Sequence, residues 1–255
     1  MGVDYVLFER LLELSRRYTP SGRVLMLGRQ AFRVKQRERM LCNMALRKYG
    51  YSERVRDLRQ EDGYSETLFE KLGFGSVESM DFSSYEGAEI LHDLNKLPPK
   101  KLQGKFDLIL DLGTIEHVFN VPVALESVYR MLQPEGRFVS ANGMNGWYTH
   151  GMYQFSPELV WTFWRRACNC EVIDCRALPK DAILDFDPIP LSDPAETGRR
   201  LPLKNKIGPG RTYLYYEIQK SKDSRLPDFA LQSDYEASWA GHENSSETSL
   251  DAVKR

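Results

Sequence analysis

Residues 104–139, GKFDLILDLGTIEHVFNVPVALESVYRMLQPEGRFV, decide the fold of this chain of 255 residues. Within them, residues 106–112 form a nearly continuous apolar run, which is typical of a central strand in a parallel sheet. A helix is predicted next, because Pro122 suits a first helical turn and apolar residues then recur at helical spacing. The QPEG turn leads into a second strand at 137–141. The stretch therefore predicts a strand–helix–strand unit with parallel strands.

The same alternation of strands and helices extends to both sides of that unit. A strand is predicted at 23–27, after a helix at 5–18. Further strands are predicted in SVESMDFS, AEILHDL, EVIDCRAL and TYLYYEIQK, of which the first two end at Asp81 and Asp93. This pattern predicts an α/β fold, a doubly wound and mostly parallel sheet with helices on both faces. Such sheets bind ligands at the carboxyl ends of the strands, near the point where the strand order reverses.

One domain is predicted for residues 1–220, with two additions to the α/β pattern and a tail. Residues 47–63 are predicted to be inserted helical sequence, which continues a basic helical region. The proline-rich segment 179–211 shows little periodicity and is predicted to be a long loop over the cleft. Residues 221–255 are polar and poor in aliphatic side chains, which predicts a mostly disordered tail. The apolar stripe of the basic helical region is predicted to consist of Met40, Leu41, Met44 and Ala45.

The composition excludes several classes of partner. The formal net charge is −1, and the basic stretch RVKQRERMLCNMALRK lacks interleaved aromatic residues, so no nucleic-acid partner is predicted. No apolar run approaches the roughly 18 residues of a membrane helix, and the N-terminus lacks the features of a signal peptide. A cytoplasmic protein without a membrane partner is therefore expected. The four cysteines do not have Cys-x-x-Cys spacing, so no metal is predicted and reduced thiols are expected.

The stretch 104–139 resembles the class I methyltransferases that use S-adenosylmethionine. Glu116 and His117 match the EH pair that follows strand four in that family, and LQPEG matches its LxPxG turn. MDFS and HDLN resemble the acidic ends of its strands two and three, and TYLYYEIQK suits the antiparallel strand of its sheet. The resemblance covers roughly residues 20–220. It implies a Rossmann-like fold, S-adenosylmethionine as the cofactor and methyl transfer as the activity.

The resemblance also implies contacts between the cofactor and residues at the strand ends. The Asp81 carboxylate would accept hydrogen bonds from both ribose hydroxyls, and such charge-assisted bonds are strong. Asp93 would accept a bond from the adenine amino group. Leu112 and Gly113, with Thr114, would offer backbone groups and a small platform. Each residue also has a purely structural interpretation, in which an aspartate caps a turn and a glycine permits one.

The first turn, within RVLMLGRQAF (residues 23–32), departs from the family pattern. That pattern is acid-x-Gly-x-Gly-x-Gly, whereas here Met26 replaces the acid and Gly28 alone remains of the glycines. Two interpretations stay open, a cofactor site with an altered wall and a fold that has lost its cofactor. In the first, the Arg29 guanidinium holds the cofactor carboxylate through two hydrogen bonds, and Gln30 bonds to the amino or carboxylate group.

Two histidines are the candidate catalytic residues, because imidazole accepts protons near neutral pH. His117 follows strand four and His150 follows strand five in a loop rich in glycine and asparagine, so both are expected near the same cleft. Tyr153 and Gln154 are predicted to orient the substrate. A hydrogen bond to backbone at a helix start is the alternative for His117, and packing against the next helix is the alternative for Tyr153.

The predicted function is S-adenosylmethionine-dependent methyl transfer to an oxygen or nitrogen of a small polar acceptor. HGMYQFSPEL, residues 150–159, resembles a stretch that recurs in a bacterial branch of the family encoded among sugar and surface-polysaccharide genes. A sugar or a sugar-linked metabolite is therefore a candidate acceptor. The alternative is a non-catalytic member of the fold that binds a partner or another ligand. Neither hypothesis fixes an oligomeric state.

Overall fold

The computed structural model describes residues 2–32, 34–180, 187–203, 205–232, 235 and 239. Its strands are β1 (Gly2–Val3), β2 (Arg23–Leu27), β3 (Ala31–Phe32), β4 (Val77–Asp81), β5 (Ile90–Leu91), β6 (Phe106–Asp111), β7 (Leu132–Asn145), β8 (Glu171–Pro179), β9 (Ile189–Pro190) and β10 (Thr212–Gln219). Its α-helices are α1 (Tyr5–Arg17), α2 (Arg39–Lys48), α3 (Glu66–Lys71), α4 (Val121–Met131) and α5 (Pro194–Thr197). A π-helix spans Val160–Ala167, and short 3₁₀ turns lie at Gln36–Glu38, Val55–Leu58, Lys100–Leu102 and Ile115–His117.

Eight of the described strands form one mixed sheet in the order β5-β4-β2-β6-β7-β10-β8-β9. The first five strands in this order are parallel, whereas β10, β8 and β9 each run antiparallel to the preceding neighbour. The chain moves outward from β2 through β4 to β5 and then crosses to β6 on the other side of β2. The strand order therefore reverses between β2 and β6, and the predicted doubly wound α/β sheet is confirmed.

The central strands are buried on both faces because each face carries its own apolar cluster. Along β2, Val24 and Met26 pack into the cluster that includes α1, α2 and α3. Leu25 and Leu27 pack into the opposite cluster, which includes α4 and the π-helix. Every residue of β6 is buried as well. Alternate residues of a strand point to opposite faces, so a continuous apolar run is what a sheet covered on both faces requires.

Helix α2 is present, and of the apolar stripe predicted for it Ala45 is buried, but the prediction is wrong for Met40 and Met44. Met40 and Met44 are 68% and 59% exposed, whereas the buried residues are Cys42, Ala45 and Leu46. The helix follows a 3₁₀ turn and packs on α1, and this packing sets which side faces inward. The segment 47–63 is helical only at the end of α2 and in the turn Val55–Leu58, so most of the predicted helical insertion is irregular.

The segment 179–211 and the start of the tail lie on the side of the sheet that β8 occupies. In the described part of that segment, β9 pairs with β8 and the Asp193 carboxylate before α5 accepts a bond from Arg166 at 2.9 Å. The tail begins in contact with the domain, since Arg225 N donates to Cys168 O at 2.8 Å. Residues 240–255 lie outside the described residues.

The structure also bears on the expectations about the cysteines and about membrane-spanning helices. The four cysteines are free thiols, and all of them are buried. In the part of the chain that the structure describes, no helix combines the length and the apolar character that crossing a bilayer requires.

Candidate active site

A cleft of about 320 Å³ opens at the carboxyl ends of β2, β4, β5 and β6. Its size lies within the range of roughly 300–1,000 Å³ that is usual for small-molecule sites. Leu112 does not line the cleft, because its side chain is 1% exposed and packs into the core on the α1 side. No described residue of 179–211 lines it either, so the predicted position of that segment over the cleft is not observed. The predicted cofactor residues that do line it are Gly28, Arg29, Gln30, Asp81, Asp93 and Gly113.

The turn after β2 is held against the turn after β6. Gly28 has a φ of +66°, a conformation that side chains disfavour, and its N–H donates to Met80 O at 2.7 Å. A Cβ at this position would lie 2.7 Å from Thr114 Oγ1, which itself donates to Leu27 O at 2.6 Å. The one glycine that remains of the family pattern is thus required for this close approach.

Gln30 is buried in the cleft wall with one of its polar atoms unpaired. Its side chain is 2% exposed, and Nε2 donates to Leu27 O at 2.7 Å and to Thr114 Oγ1 at 3.3 Å. Oε1 has no hydrogen-bond partner. A buried acceptor without a donor is costly, so this oxygen is suited to receive an N–H of a ligand such as a cofactor ammonium.

The Arg29 guanidinium already has partners. Nε donates to Glu66 at 2.6 Å, Nη2 to Asp62 at 2.7 Å and Nη1 to Glu86 O at 2.9 Å, and the group lies over the Tyr64 ring. These bonds keep the guanidinium charged by raising its pKa, with the Glu66 bond as the largest cause. A cofactor carboxylate would have to compete with both carboxylates for the same donors, so the structure offers Arg29 as a brace between segments around the cleft.

Asp81 and Asp93 differ in how many of their acceptor sites are free. Asp81 closes β4, and its carboxylate accepts one long bond, from Ser83 N at 3.4 Å. Asp93 lies two residues past β5 and accepts from Asn95 N at 3.0 Å and Asn95 Nδ2 at 2.9 Å, while Lys96 Nζ lies 3.4 Å away. The bonds from Asn95 lower the pKa of Asp93. Asp81 therefore has the greater capacity to receive ribose hydroxyls.

Asp111, which the sequence analysis did not single out, organises the turn after β6. It is fully buried, and it accepts bonds from Thr114 N at 2.8 Å, Ile115 N at 3.2 Å, Ser140 Oγ at 3.1 Å and Asn142 Nδ2 at 2.6 Å. Burial raises the pKa of Asp111, and these bonds oppose the rise. The signal was an acidic residue at the end of an otherwise apolar strand.

Glu116, His117 and His150, hereafter the Glu–His–His cluster, meet at the rim of the cleft. One ligand atom from each lies within 4.8 Å of the other two, which makes this a group that could hold a metal ion among the described residues. Glu116 Oε1 is 3.3 Å from His150 Nε2 and 3.7 Å from His117 Nε2. The two imidazole rings are 5.1 Å apart and nearly perpendicular. The two predicted catalytic residues are thus neighbours, and His117 also lines the cleft.

The cluster is built so that its imidazoles are neutral near pH 7. Burial raises the pKa of Glu116 to about 7, the bond from Gly143 N opposes this, and the charge of Asp111 adds to it. Burial lowers the pKa of both His117 and His150. A carboxylate 3.3 Å from an imidazolium would form an ion pair with it. The pKa of Glu116 lies above the pKa of either imidazole, so Glu116 is already protonated at the pH at which the imidazoles gain a proton. No permanent ion pair therefore occupies these side chains.

The polar groups of Tyr153 and Gln154 form hydrogen bonds that hold the loop 147–155 in place. Tyr153 N donates to Glu116 O at 3.2 Å and its hydroxyl donates to Phe119 O at 2.8 Å, while Gln154 Oε1 accepts from Trp147 N at 3.1 Å. Their predicted role in orienting the substrate stays a prediction. Thr149, next to His150, has a φ of +62°, which is strained for a β-branched residue.

The family match decides what this cleft belongs to. Residues 78–140, from β4 into β7, match the family model described as a methyltransferase domain. This segment is therefore similar to a methyltransferase domain. Methyl transfer is the activity that the description of this family model names. The matched segment contains Asp81 and Asp93, and also Gly113, Thr114, Glu116 and His117.

Solved structures that resemble this chain have low sequence identity to it. The 1,6-didemethyltoxoflavin-N1-methyltransferase of Burkholderia thailandensis is 14% identical, with 84% of this chain and 77% of that chain covered and a TM-score of 0.42. TehB of Haemophilus influenzae is 14% identical, with 84% and 62% covered and a TM-score of 0.41. The YcgJ protein of Bacillus subtilis is 15% identical, with 84% and 99% covered and a TM-score of 0.39. No curated protein sequence matches the chain.

Proposed function

We propose that this protein transfers a methyl group to an oxygen or nitrogen of a small polar acceptor bound at the Glu–His–His cluster. One observation carries the proposal: His117 belongs to the cluster and also lines the cleft, so a proton acceptor borders the proposed cofactor cavity. The cleft fixes the cofactor side, and the loop 147–155 fixes the acceptor side. Both sides meet on the turn 112–118, which follows β6.

The cleft fits S-adenosylmethionine, and three of its features support that fit. The Asp81 carboxylate has free acceptor sites for the ribose hydroxyls. The unpaired Gln30 Oε1 is an acceptor for the ammonium of the methionine end. Gly28 lets the backbone approach closely, as the retained glycine of the first turn. When bound, the cofactor supplies a methyl group on a sulfonium, and the altered wall of the first turn is the interpretation that we adopt.

The residues of the cluster supply the proton acceptor that an oxygen or nitrogen nucleophile needs. His117 and His150 are neutral near pH 7, so each has a lone pair for the acceptor's proton. As the acceptor's lone pair bonded to the methyl carbon, the methyl–sulfur bond would break and its electron pair would stay on sulfur, which leaves S-adenosylhomocysteine. The acceptor's proton would pass to one of these nitrogens. Glu116, whose carboxylate is fixed by Gly143 N, lies beside both rings, with Oε1 3.3 Å from His150 Nε2 and 3.7 Å from His117 Nε2.

The acceptor class is inferred from exposed aromatic side chains that are close in sequence to the cluster. Phe119 and Tyr148 each lie two positions from a histidine of the cluster, and they are 73% and 75% exposed, although large hydrophobic residues are usually covered. Sugar rings present both hydroxyls and apolar C–H faces, so a sugar or sugar-linked metabolite suits polar and aromatic side chains together. The stretch 150–159 supports the same acceptor, because it resembles sequences encoded among sugar genes.

The test combines cofactor binding with turnover. We expect calorimetry to show saturable binding of S-adenosylhomocysteine, and a screen of sugar acceptors to show its release from S-adenosylmethionine. His117→Ala or His150→Ala should lower turnover roughly a hundredfold or more. Glu78→Ala is the control, because this carboxylate pairs with Arg23 on the surface. Absence of binding at millimolar cofactor would favour the non-catalytic alternative, a protein of this fold that binds a partner or another ligand.

A further inference from the structure

We propose that the Glu–His–His cluster is a binding site for a first-row divalent transition-metal ion of the Zn²⁺ type. The sequence predicted no metal, because the cysteines lack Cys-x-x-Cys spacing and no histidine lies near them in the sequence. The fold creates the site by returning the chain from β7 onto the turn after β6. Metal binding is independent of the proposed function, whereas the role assigned to the metal rests on it.

The distances suit one ion held by three side chains. Zinc binds imidazole nitrogen and carboxylate oxygen at roughly 2.0–2.2 Å, so neighbouring ligand atoms in its shell lie about 3.3 Å apart. Glu116 Oε1 lies 3.3 Å from His150 Nε2 and 3.7 Å from His117 Nε2. A shift of a few tenths of an ångström at His117, which is 46% exposed, would bring its Nε2 equally close to Glu116 Oε1, and all three ligand atoms lie within 4.8 Å of one another.

The surroundings of Glu116 are independent evidence for a bound cation at the cluster. Its side chain is 1% exposed, and Oε1 lacks a hydrogen-bond partner while facing the two imidazoles. The other oxygen accepts from Gly143 N, and a Cβ on Gly143 would lie only 3.0 Å from it. The carboxylate is thus fixed by backbone, as metal ligands commonly are, with one buried oxygen left over. A cation at the cluster would satisfy that oxygen.

The donor set indicates which ions fit. Two imidazoles and one carboxylate favour zinc, iron(II) or manganese(II), whereas calcium and magnesium prefer sites made of oxygen alone. Three protein ligands also leave positions for water or for an acceptor hydroxyl, as in catalytic metal sites. Lys180 and Arg211 place positive charge near His150, and Asp4, 2.7 Å from Lys180 Nζ, offsets part of it.

A metal at this place would act on the acceptor. A hydroxyl bound to the ion loses its proton to water more easily, because the cation stabilises the alkoxide. In the loaded protein His117 and His150 are ligands, so the ion takes the role that the imidazoles have in the metal-free protein. Both arrangements place the acceptor oxygen beside the cofactor cavity.

Metal binding is measured on the full chain after treatment with a chelator. We expect one equivalent of Zn²⁺ to bind with a Kd below about 10 µM by calorimetry, and Co²⁺ to give a visible absorption band. His117→Ala and His150→Ala should each weaken Zn²⁺ binding at least tenfold. His92→Ala is the matched control, because its imidazole contacts Lys96 O outside the cluster, and it should bind Zn²⁺ like the unaltered chain.

Two results would overturn the metal site. One is the absence of saturable Zn²⁺ binding up to about 100 µM in a chain whose melting curve is normal. The other is binding that survives both histidine substitutions, which would place the ion elsewhere, for example on cysteines. His150→Ala and His117→Ala are suitable variants for this test because the two side chains are 38% and 46% exposed, whereas Glu116 is 1% exposed.

A parallel titration with S-adenosylhomocysteine separates this inference from the proposed function. Zn²⁺ binding without binding of S-adenosylhomocysteine supports the metal site and overturns the proposed function. The reverse result overturns the metal site and leaves the proposed function standing. If both ligands bind, a chelator should lower turnover at least tenfold and added Zn²⁺ or Mn²⁺ should restore it. Turnover that is unchanged by the chelator would overturn the role assigned to the metal.

Discussion

Replacing Asp81 with alanine tests how the cleft holds the cofactor. The carboxylate closes β4 at the mouth of the cleft and accepts one long bond, from Ser83 N at 3.4 Å. Two ribose hydroxyls can therefore donate to it. A hydrogen bond to a charged group contributes about 1.5–3 kcal/mol, so Asp81→Ala should weaken S-adenosylhomocysteine binding about 10- to 150-fold. Because only the long bond to Ser83 is lost, the free energy of unfolding should change by less than about 0.5 kcal/mol.

Isothermal titration calorimetry with two ligands gives this test its resolution. 5′-Methylthioadenosine has the ribose and the adenine but lacks the amino-acid end. Asp81→Ala should weaken both ligands by the same factor, whereas Gln30→Met should weaken S-adenosylhomocysteine alone, because Gln30 Oε1 is assigned to the ammonium. Glu78→Ala, on the same strand but paired with Arg23 on the surface, is the matched control and should leave both affinities unchanged.

The reasoning about Asp81 is refuted by either of two results. One is a dissociation constant for S-adenosylhomocysteine that changes less than twofold in Asp81→Ala. The other is a loss of affinity for S-adenosylhomocysteine without a loss for 5′-methylthioadenosine, which would place Asp81 at the amino-acid end.

Three other substitutions test neighbouring parts of the structure. Arg29→Met should lower the free energy of unfolding by about 1–3 kcal/mol in urea titrations, because the bonds to Asp62 and Glu66 are lost. A tenfold loss of affinity for S-adenosylhomocysteine, without a loss for 5′-methylthioadenosine, would instead support the prediction from the sequence that Arg29 binds the cofactor carboxylate. Thr149→Gly should relieve strain, so thermal and urea unfolding should show equal or up to about 1 kcal/mol greater stability, and a clear loss would contradict the strain. Glu89 has a lowered pKa, because bonds from Ser79 outweigh the effect of burial, so its stabilising effect is present at pH 7 and is lost as the pH falls through the folded pKa. Glu89→Gln should therefore be less stable than the unaltered chain at pH 7, the difference should shrink as the pH falls through the folded pKa, and a difference that is constant with pH would contradict this.

The sequence predicts the sheet well because the signal for a buried strand is local. The run at 106–112 needs no partner to be recognised, and β6 covers Phe106–Asp111. Leu112 was placed in the cleft because it follows the strand, but its side chain continues the alternation of β6 and turns into the core. The direction of the first residue after a strand depends on the turn, which the apolar pattern does not encode.

The properties of the candidate site depend on contacts between distant positions. The partners of Arg29 lie 33 to 57 positions further along the chain, so a sequence cannot show that its donors are taken. His117 and His150 were both assigned to one cleft from their places after strands, yet their contact depends on the path of the loop after β7. The stripe of α2 shows the same limit, because packing on α1 sets which of several apolar residues face inward.

The turn 112–118 is shared by the cofactor site and the acceptor site that we propose, and this has a thermodynamic consequence. Asp111 bonds to this turn and to Asn142 of β7, and Glu116 O accepts from Met152 N at 2.8 Å in the acceptor loop. A ligand that restricts the motion of the turn from the cofactor side also removes part of the entropy cost of binding on the acceptor side. Linkage is reciprocal, so each ligand should raise the affinity of the other by the same factor. Donor and acceptor are thereby favoured together over either one alone, which limits unproductive loading of the enzyme.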